Sequence, residues 1–285
     1  MGKKRRKVEI AVISDVHLGT YGCRAKELNH YLQSIKPDKL ILNGDIIDFW
    51  QFSKRYWPKS HMKVLKSILN LASKGTMVYY ITGNHDETLR KFAGIHVGNI
   101  SVINQLELVL NGQRTWFFHG DVFDVIMKHS KWLAKLGAIG YDSLVAVNVL
   151  INSVRRLFGK GRVSISKRIK QNVKTAVKYI GKFEETAALM ALRKNFNAIV
   201  CGHIHYPEIT TIHIPKSGQI SYLNSGDWVE NMSALEYDQG RWVIYRYEHH
   251  NVEEEYTDDN TIDRSELIEM ETREIFEMMV NEFSS

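Results

Sequence analysis

The chain has 285 residues, of which 44% are hydrophobic and 25% are charged, and its formal net charge is +6. This length suits one large domain or one domain with a sizeable insertion, and the composition is ordinary for a globular protein. The sequence has no apolar stretch of about 18 residues, so it predicts no membrane-spanning helix.

Residues 1–7 carry a charge of +5 and lack the apolar core of a secretory signal, and the two cysteines follow no disulfide or zinc spacing, so we expect a cytoplasmic protein.

The first part of the chain alternates predicted strands and helices. This alternation favours an α/β-like or mixed layered fold. The predicted elements are strand Val8–Ser14, helix Cys23–Ile35, strand Lys39–Leu42, helix His61–Ser73 and strand Val78–Ile81.

The second part of the chain contains a helical insertion. Residues 125–195 carry apolar positions at helical spacing and predict two or three helices, which we interpret as an insertion between core strands. The later strands follow one another without helices and predict hairpins, with a turn at Asp238–Gly240. The predicted strands are Thr115–Phe118, Ala198–Cys201, Ile220–Leu223, Ser233–Tyr237 and Trp242–Tyr247.

Charge divides the chain further. Residues 125–194 hold 15 Lys or Arg against 3 Asp or Glu, a net of +12, whereas residues 251–285 hold 2 basic against 12 acidic residues, a net of −10. We therefore predict one domain at residues 1–250, with the insertion at about 125–195, and an acidic tail at 251–285 that could form one helix. The basic segment favours an anionic partner, although a solvated helix surface has the same composition.

Five short polar motifs directly follow apolar runs. Side chains just beyond the carboxyl ends of strands in an α/β sheet converge on one crevice. We therefore expect seven side chains to meet there: Asp15, His17, Asp45, Asn84, His119, His203 and His205. The motifs are D-V-H at 15–17, G-D-I-I-D at 44–48, G-N-H-D at 83–86, H-G-D at 119–121 and G-H-I-H at 202–205.

Seven convergent ligands are too many for one ion and suffice for two. Carboxylate, amide and imidazole donors without a thiolate suit manganese, with iron and zinc as alternatives. Asp45 is the natural bridge, since each of its oxygens can bind one ion. Two ions about 3.5–4 Å apart would share a water molecule, lower its pKa and clamp phosphoryl oxygens. The motifs thus predict a hydrolase that attacks a phosphate ester or anhydride with a metal-bound hydroxide.

The strength of this prediction lies in the combination of motifs. Alone, D-x-H is usually a chance occurrence on the protein surface, and G-N-H is commonly a turn. G-H-x-H is stronger evidence for a metal site, because alternate residues of an extended segment point the same way. All five motifs in this order favour a metal site over coincidence. Three more carboxylates, Asp48, Asp86 and Asp121, are expected to orient ligand imidazoles.

The sequence resembles the calcineurin-like metallophosphoesterases, whose pattern D-x-H, G-D-x-x-D, G-N-H-[DE], H, G-H-x-H it matches in full over residues 8–124 and 197–250. The resemblance implies an α+β fold, a four-layer αββα sandwich, here with a helical insertion. It implies that His85 is an unligated histidine that assists the leaving group. It also implies two ion positions, one held by Asp15, His17, Asp45 and His205, the other by Asp45, Asn84, His119 and His203.

Within that superfamily, the spacing is most similar to the bacterial UDP-2,3-diacylglucosamine diphosphatases, which hydrolyse a lipid-linked pyrophosphate and carry a helical insertion after His-Gly-Asp. The resemblance implies this compound or a similar lipid-linked nucleotide as substrate. The chain has His85 where that diphosphatase has arginine, and Asn224–Trp228 is closer to an uncharacterised relative. The alternatives are a phosphodiesterase or phosphomonoesterase on a soluble substrate and a non-catalytic scaffold, which the full ligand set disfavours.

The basic insertion allows three interpretations. It could be a helical cap with solvated lysines and arginines, or a lid that binds a lipid tail and docks on the anionic inner face of the cytoplasmic membrane. Nucleic-acid binding is disfavoured because the recognised motifs are absent. We favour the lipid lid. Within it, a phosphate group could bind to Ser164, Ser166, Lys167, Lys170 and Lys174.

Overall fold

The computed structural model describes residues 5–50, 56–123 and 165–248, and only the backbone of residues 165–178. The chain divides into a compact unit, Met1–Tyr247, and a second unit, Glu248–Ser285, of which only Glu248 is described. No helix in the described ranges has both the length and the apolar character that a membrane span needs. The predicted helix in the acidic tail lies outside the described residues.

Strands and helices alternate through the first half of the chain and strands dominate the second. The helices are α1 (Ala25–Ser34), α2 (Lys59–Ser73), α3 (Ile165–Arg193) and a 3-10 helix (Glu87–Phe92). The strands are β1 (Arg6–Ile13), β2 (Ile35–Asn43), β3 (Met77–Ile81), β4 (His96–Val97), β5 (Ile100–Ile103), β6 (Leu106–Leu110), β7 (Gln113–Phe117), β8 (Ala198–Cys201), β9 (Glu208–Ile214), β10 (Gly218–Asn224), β11 (Ser233–Asp238) and β12 (Arg241–Arg246).

Among the described residues, the first sheet has the strand order β12-β11-β1-β2-β3-β5-β4. Strands β1, β2, β3 and β5 run parallel, with Ala11 opposite Leu40 and Ile41 opposite Tyr79. The β11–β12 hairpin adds an antiparallel edge beside β1. Because β1, β2 and β3 are parallel, the loops that follow them all leave the sheet at the carboxyl ends of its strands, on the same side.

The second sheet has the order β6-β7-β8-β10-β9 within the described part of the chain. Its three inner strands, β7, β8 and β10, are parallel, with Trp116 opposite Ile199 and Leu223 opposite Val200. Strands β6 and β9 are antiparallel edges. The loops after β7, β8 and β10 therefore also leave this sheet at the same end of its strands.

The two sheets pack face to face with helices outside both. Alternate residues of β1 point to opposite faces, so Ala11 joins Leu28 of α1 and Val64 of α2, whereas Val12 joins Val200 between the sheets. On the far side, α3 packs through side chains such as Phe183 and Ala187. The predicted four-layer αββα sandwich is confirmed.

The structure confirms some of the predicted elements and adds others. The hairpin turn is confirmed, with Gln239 and Gly240 at φ 48° and 79°, as a two-residue turn between twisted strands requires. Helix α3 forms the end of the predicted helical insertion, whose residues 125–164 lie outside the described part. The 3-10 helix and strands β4, β5, β6 and β9 were not predicted.

Candidate active site

The seven predicted ligands all lie in loops that leave strand ends. Asp15 and His17 follow β1, Asp45 follows β2, and Asn84 follows β3, all in the first sheet. The second sheet supplies the histidines after β7 and β8: His119, His203 and His205. The structure brings six of these side chains into two groups, Asp15 with His17 and His205, and Asp45 with His119 and His203, and in each group the ligand atoms lie within 4.8 Å of one another.

In the first group, His205 Nε2 lies 3.1 Å from Asp15 Oδ1, and the rings of His17 and His205 lie 5.4 Å apart. Two atoms bound to one ion at about 2.1 Å lie roughly 3 Å apart when they subtend a right angle at it. The spacing therefore suits two ligands of one divalent ion.

The second group has a similar spacing. His119 Nε2 lies 3.2 Å from Asp45 Oδ2, and the His119 and His203 rings meet edge to face at 5.2 Å. His119 Nδ1 donates a hydrogen bond of 2.9 Å to the carbonyl oxygen of Asn43. A neutral His119 therefore carries its proton on Nδ1 and has an Nε2 lone pair that can bind a cation.

Three acceptor atoms of the predicted set are buried with no hydrogen-bond partner among the described residues: His17 Nε2, Asn84 Oδ1 and His119 Nε2. A buried polar atom that makes no hydrogen bond costs free energy, and most such atoms in native proteins have a partner. All three atoms can coordinate a cation. The residues present therefore fit a site for divalent ions.

The backbone is strained at the ligands. Five of them have positive φ: Asp15 51°, His17 53°, Asp45 54°, His203 66° and His205 56°. Residues with a side chain adopt this left-handed conformation infrequently, at a cost of about 1–3 kcal/mol each, and such residues cluster at functional sites. This strain is a mark of function that no sequence motif carries.

Two glycines allow these loops to approach one another. A Cβ atom on Gly83 would collide with the Asp45 carboxylate and lie 2.8 Å from His119 Cδ2. Gly44 has φ of 83°, and a Cβ there would collide with the His119 ring. Larger residues at either position would push apart the side chains of the second group.

The carboxylates at the centre are held ionised. Burial would raise the pKa of Asp15, but the charges of His205 and His119 lower it to about 2. Burial would lower the pKa of His205, but Asp15 raises it to about 9. In the same way, His119 lowers the pKa of the adjacent Asp45, and Asp45 raises the pKa of His119. The site therefore stabilises positive charge, which bound cations would supply in place of imidazole protons.

Asp48 connects the first group to His85. Its Oδ2 accepts hydrogen bonds from His17 Nδ1 at 3.1 Å and from His85 Nδ1 at 2.8 Å. Trp50 covers His85, with ring centroids 4.4 Å apart. Burial would lower the pKa of His85, but the hydrogen bond to Asp48 and the charges of Asp45 and Asp48 raise it. Asp48 thus holds the rings of both His17 and His85 through their Nδ1 atoms, and His85 is suited to carry a proton.

A family model described as calcineurin-like phosphoesterase matches residues 8–207, which include all seven predicted ligands. The chain is a calcineurin-like phosphoesterase. It is therefore a hydrolase, and the family implies that it acts with divalent metal ions.

Curated relatives of this phosphoesterase carry the name UDP-2,3-diacylglucosamine hydrolase. The one from Aliivibrio fischeri (strain MJ11) is 23% identical over 255 residues, covering 84% of this chain and 98% of the relative. The one from Wigglesworthia glossinidia brevipalpis is 27% identical over 203 residues, covering 69% and 79%. Among solved structures, an archaeal phosphodiesterase aligns over 83% of this chain and 98% of its own, with 9% identity and a TM-score of 0.37.

Two predicted supporting carboxylates of the phosphoesterase have other partners. Asp86 accepts hydrogen bonds from the backbone N–H groups of Gly83 and Ile46 and from the Tyr80 hydroxyl at 2.6, 2.9 and 2.6 Å. Asp121 is ion-paired with Arg90. The prediction that these carboxylates orient ligand imidazoles was wrong, since Asp86 instead shapes the loop that carries Asn84 and the Arg90 guanidinium takes the Asp121 carboxylate.

The predicted phosphate-binding residues of the lid cannot be placed. Ser164 and the side chains of Ser166, Lys167, Lys170 and Lys174 lie outside the described residues. The backbone of the last four forms part of α3. Their role stays a prediction.

Sequence reasoning missed the loop after β10 as part of the site. Ser225 and Ser14 hydroxyls lie 2.7 Å apart, and Asn224 Nδ2 donates to the carbonyl oxygen of Gly202 at 2.9 Å. The loop therefore joins the ends of β1 and β8, which carry the first group. The cluster Asn-Ser-Gly-Asp after an apolar strand was the available signal, because β10 runs parallel to β8.

Proposed function

We propose that this phosphoesterase hydrolyses the pyrophosphate of UDP-2,3-diacylglucosamine or of a similar lipid-linked nucleotide. The observation that carries the chemistry is the pair of ligand groups, the second of which contains Asp45 and contacts the first through the His17 backbone N–H. The substrate is supported by the names of relatives that align with most of the chain. It also agrees with the basic insertion, because the proposed substrate is an anion with a lipid part.

We assign one ion to Asp15, His17, Asp45 and His205 and the other to Asp45, Asn84, His119 and His203. The donors are oxygens and imidazole nitrogens, which favours manganese, with iron and zinc as alternatives. When bound, two such ions supply activation of the attacking water and neutralise charge on the phosphoryl oxygens.

The proton for the leaving oxygen is assigned to His85. Asp48 accepts from His85 Nδ1, which fixes the ring and leaves Nε2 as the atom that can donate. The His85 backbone N–H donates to Asp45 Oδ1 at 2.8 Å, so the backbone that carries the ring is tied to this carboxylate. This geometry supports His85 as a general acid.

A soluble phosphodiester is the second candidate substrate. The sequence resemblance favours it at one position, since His85 stands where the UDP-2,3-diacylglucosamine diphosphatases have arginine. A histidine can protonate a poor leaving group, whereas an arginine stays charged and acts by binding phosphate. The non-catalytic scaffold finds no support, because every ligand of the family pattern is present.

A substrate panel with Mn²⁺ tests the proposal. UMP release from UDP-2,3-diacylglucosamine should exceed, in kcat/KM, hydrolysis of bis-p-nitrophenyl phosphate and p-nitrophenyl phosphate by at least about 100-fold, since binding energy from the rest of the substrate favours the true reaction. Faster turnover of a small soluble diester would establish the second candidate. No turnover of any phosphate ester or anhydride with any of the three metals would exclude both.

We also propose that the enzyme binds peripherally to anionic membranes through the insertion and the basic N-terminus. Each basic residue near such a surface contributes about 1 kcal/mol. Vesicles with anionic lipid should bind the chain at low salt and lose it as salt rises, and neutral vesicles should bind it poorly. Binding should nearly vanish when residues 125–195 are replaced by a short loop. A chain that ignores anionic vesicles at low salt would contradict this part.

A further inference from the structure

The loop after β10 contains a buried carboxylate beside the first ligand group. Asp227 is 0% exposed. Its Oδ1 accepts the backbone N–H groups of Val229, Glu230 and Asn231 at 2.9, 2.7 and 2.9 Å. These bonds fix one oxygen within a tight turn and leave Oδ2 to face the ligand loop.

Asp227 Oδ2 meets two groups of the site. It lies 3.6 Å from His205 Nδ1, within ion-pair range, and accepts a hydrogen bond of 2.9 Å from Asn231 Nδ2. Asn231 Nδ2 also donates to the carbonyl oxygen of His205 at 2.7 Å. One amide thus holds both the carboxylate and the backbone of the ligand.

The same loop contacts the other side of the first group. The Trp228 backbone N–H donates to the carbonyl oxygen of Asp15 at 3.1 Å, and Ser14 Oγ donates to the carbonyl oxygen of Gly226 at 2.9 Å. Asp15 and His205 come from different sheets and face each other across 3.1 Å. The loop therefore touches the backbone of both ligands.

His205 needs such support more than the other ligands of its group. Its side chain is 40% exposed, against 10% for His17 and 0% for Asp15. To bind a cation through Nε2, the neutral ring must carry its proton on Nδ1, and a carboxylate facing Nδ1 favours that tautomer.

We propose that Asp227 and Asn231 are positioning residues that fix the ring and tautomer of His205 for the ion held with Asp15 and His17. This inference rests on the proposed ligand role of His205. In Asp227→Asn, an amide nitrogen placed at Oδ2 would face two donors, His205 Nδ1–H and Asn231 Nδ2–H. With the amide oxygen at the Oδ2 position instead, the amide nitrogen would take the Oδ1 position and face the three backbone N–H donors of the turn.

The test is a Mn²⁺ titration of the full chain without substrate, with free Mn²⁺ followed by electron paramagnetic resonance. Asp227→Asn should weaken one of two bound ions by about 10–100-fold and leave the other unchanged. Asn231→Ala, at a half-buried position where folding is less at risk, should weaken the same ion. Glu236→Gln is the matched control, because Glu236 is a buried carboxylate paired with Arg6 and Tyr31.

The control should lower the unfolding temperature and keep both affinities. If Asp227→Asn or Asn231→Ala loses thermal stability but binds both ions as the unchanged chain does, the loop is a structural turn and the inference is wrong. If the unchanged chain binds no divalent ion, the ligand assignment itself fails. If the unchanged chain binds Mn²⁺ but does not hydrolyse UDP-2,3-diacylglucosamine, only the proposed substrate is contradicted.

Discussion

Asp45 belongs to the second ligand group, and its backbone carbonyl oxygen accepts a hydrogen bond of 3.0 Å from the His17 N–H of the first group. It contacts His119 with one oxygen and the His85 backbone with the other. We expect Asp45→Ala to abolish turnover and to lose bound metal, because both proposed ion positions share this carboxylate. Metal analysis of the purified variant measures the second effect. Asp38→Ala, at an exposed position on β2, the strand that precedes Asp45, should retain both. Two tightly bound ions in Asp45→Ala would contradict the bridge.

His85→Ala should separate proton transfer from metal binding. The variant should keep its metal and lose about 10²–10⁴ in kcat on substrates with a basic leaving oxygen, since it lacks a proton donor. Esters of p-nitrophenol should be affected much less, because that leaving group departs without a proton. Equal losses on both classes, or loss of metal, would mean that His85 acts otherwise.

The ligands are predictable from the sequence because each stands directly after a buried strand. The residues that support them are not, because their role depends on which loops meet in space. Asp227 contacts His205 across 22 positions of sequence, and Asp86 stands in a ligand motif but bonds the backbone. The left-handed conformations also depend on the packed loops rather than on the local residue types.

At the scale of elements, the same distinction holds. Strands β1 and β2 contain the apolar runs Ile10–Ile13 and Leu40–Leu42, and β8 is apolar throughout. These runs are buried on both faces, which made the strands predictable. Strand β9 alternates half-buried and exposed residues at an edge, and β4 has two residues, both exposed. Such edges are specified by the neighbouring strand more than by their own composition.

Helix α2 is tied to the active-site loops through His61. The Gly19 backbone N–H donates to His61 Nδ1 at 3.0 Å, two residues beyond His17, and burial lowers the pKa of His61 to about 4. The unfolded chain therefore takes up this proton first, so stability is full above about pH 6.5 and falls as pH drops towards 4, by about 3 kcal/mol.

His61→Asn keeps an acceptor near the Nδ1 position and does not titrate. Denaturant unfolding of this variant should show a smaller loss of stability between pH 6.5 and 4 than the unchanged chain. His30→Asn, on the exposed face of α1, is the control and should follow the unchanged chain. Parallel pH curves for all three would show that His61 does not contribute.

At the scale of the whole molecule, the ligand loops come from both sheets of the sandwich. Ions bound there would connect the two sheets, and binding to the folded state alone stabilises it by about 2.7 kcal/mol at 100 times Kd. For a domain of this size that is roughly 5–10 °C in unfolding temperature. Calorimetry with Mn²⁺ and after chelation should show this shift, and Asp45→Ala should not respond to either treatment.

The left-handed backbone at five ligands also has an evolutionary consequence. A chain that keeps its active site must tolerate this strain, whereas a descendant selected only for folding gains stability by relieving it. Glycine adopts such φ values without penalty and asparagine with little. Descendants that retain the sandwich as a binding module are therefore expected to accumulate glycine or asparagine at positions 15, 17, 45, 203 and 205. Such substitutions would identify, from the sequence, the descendants that have lost catalysis.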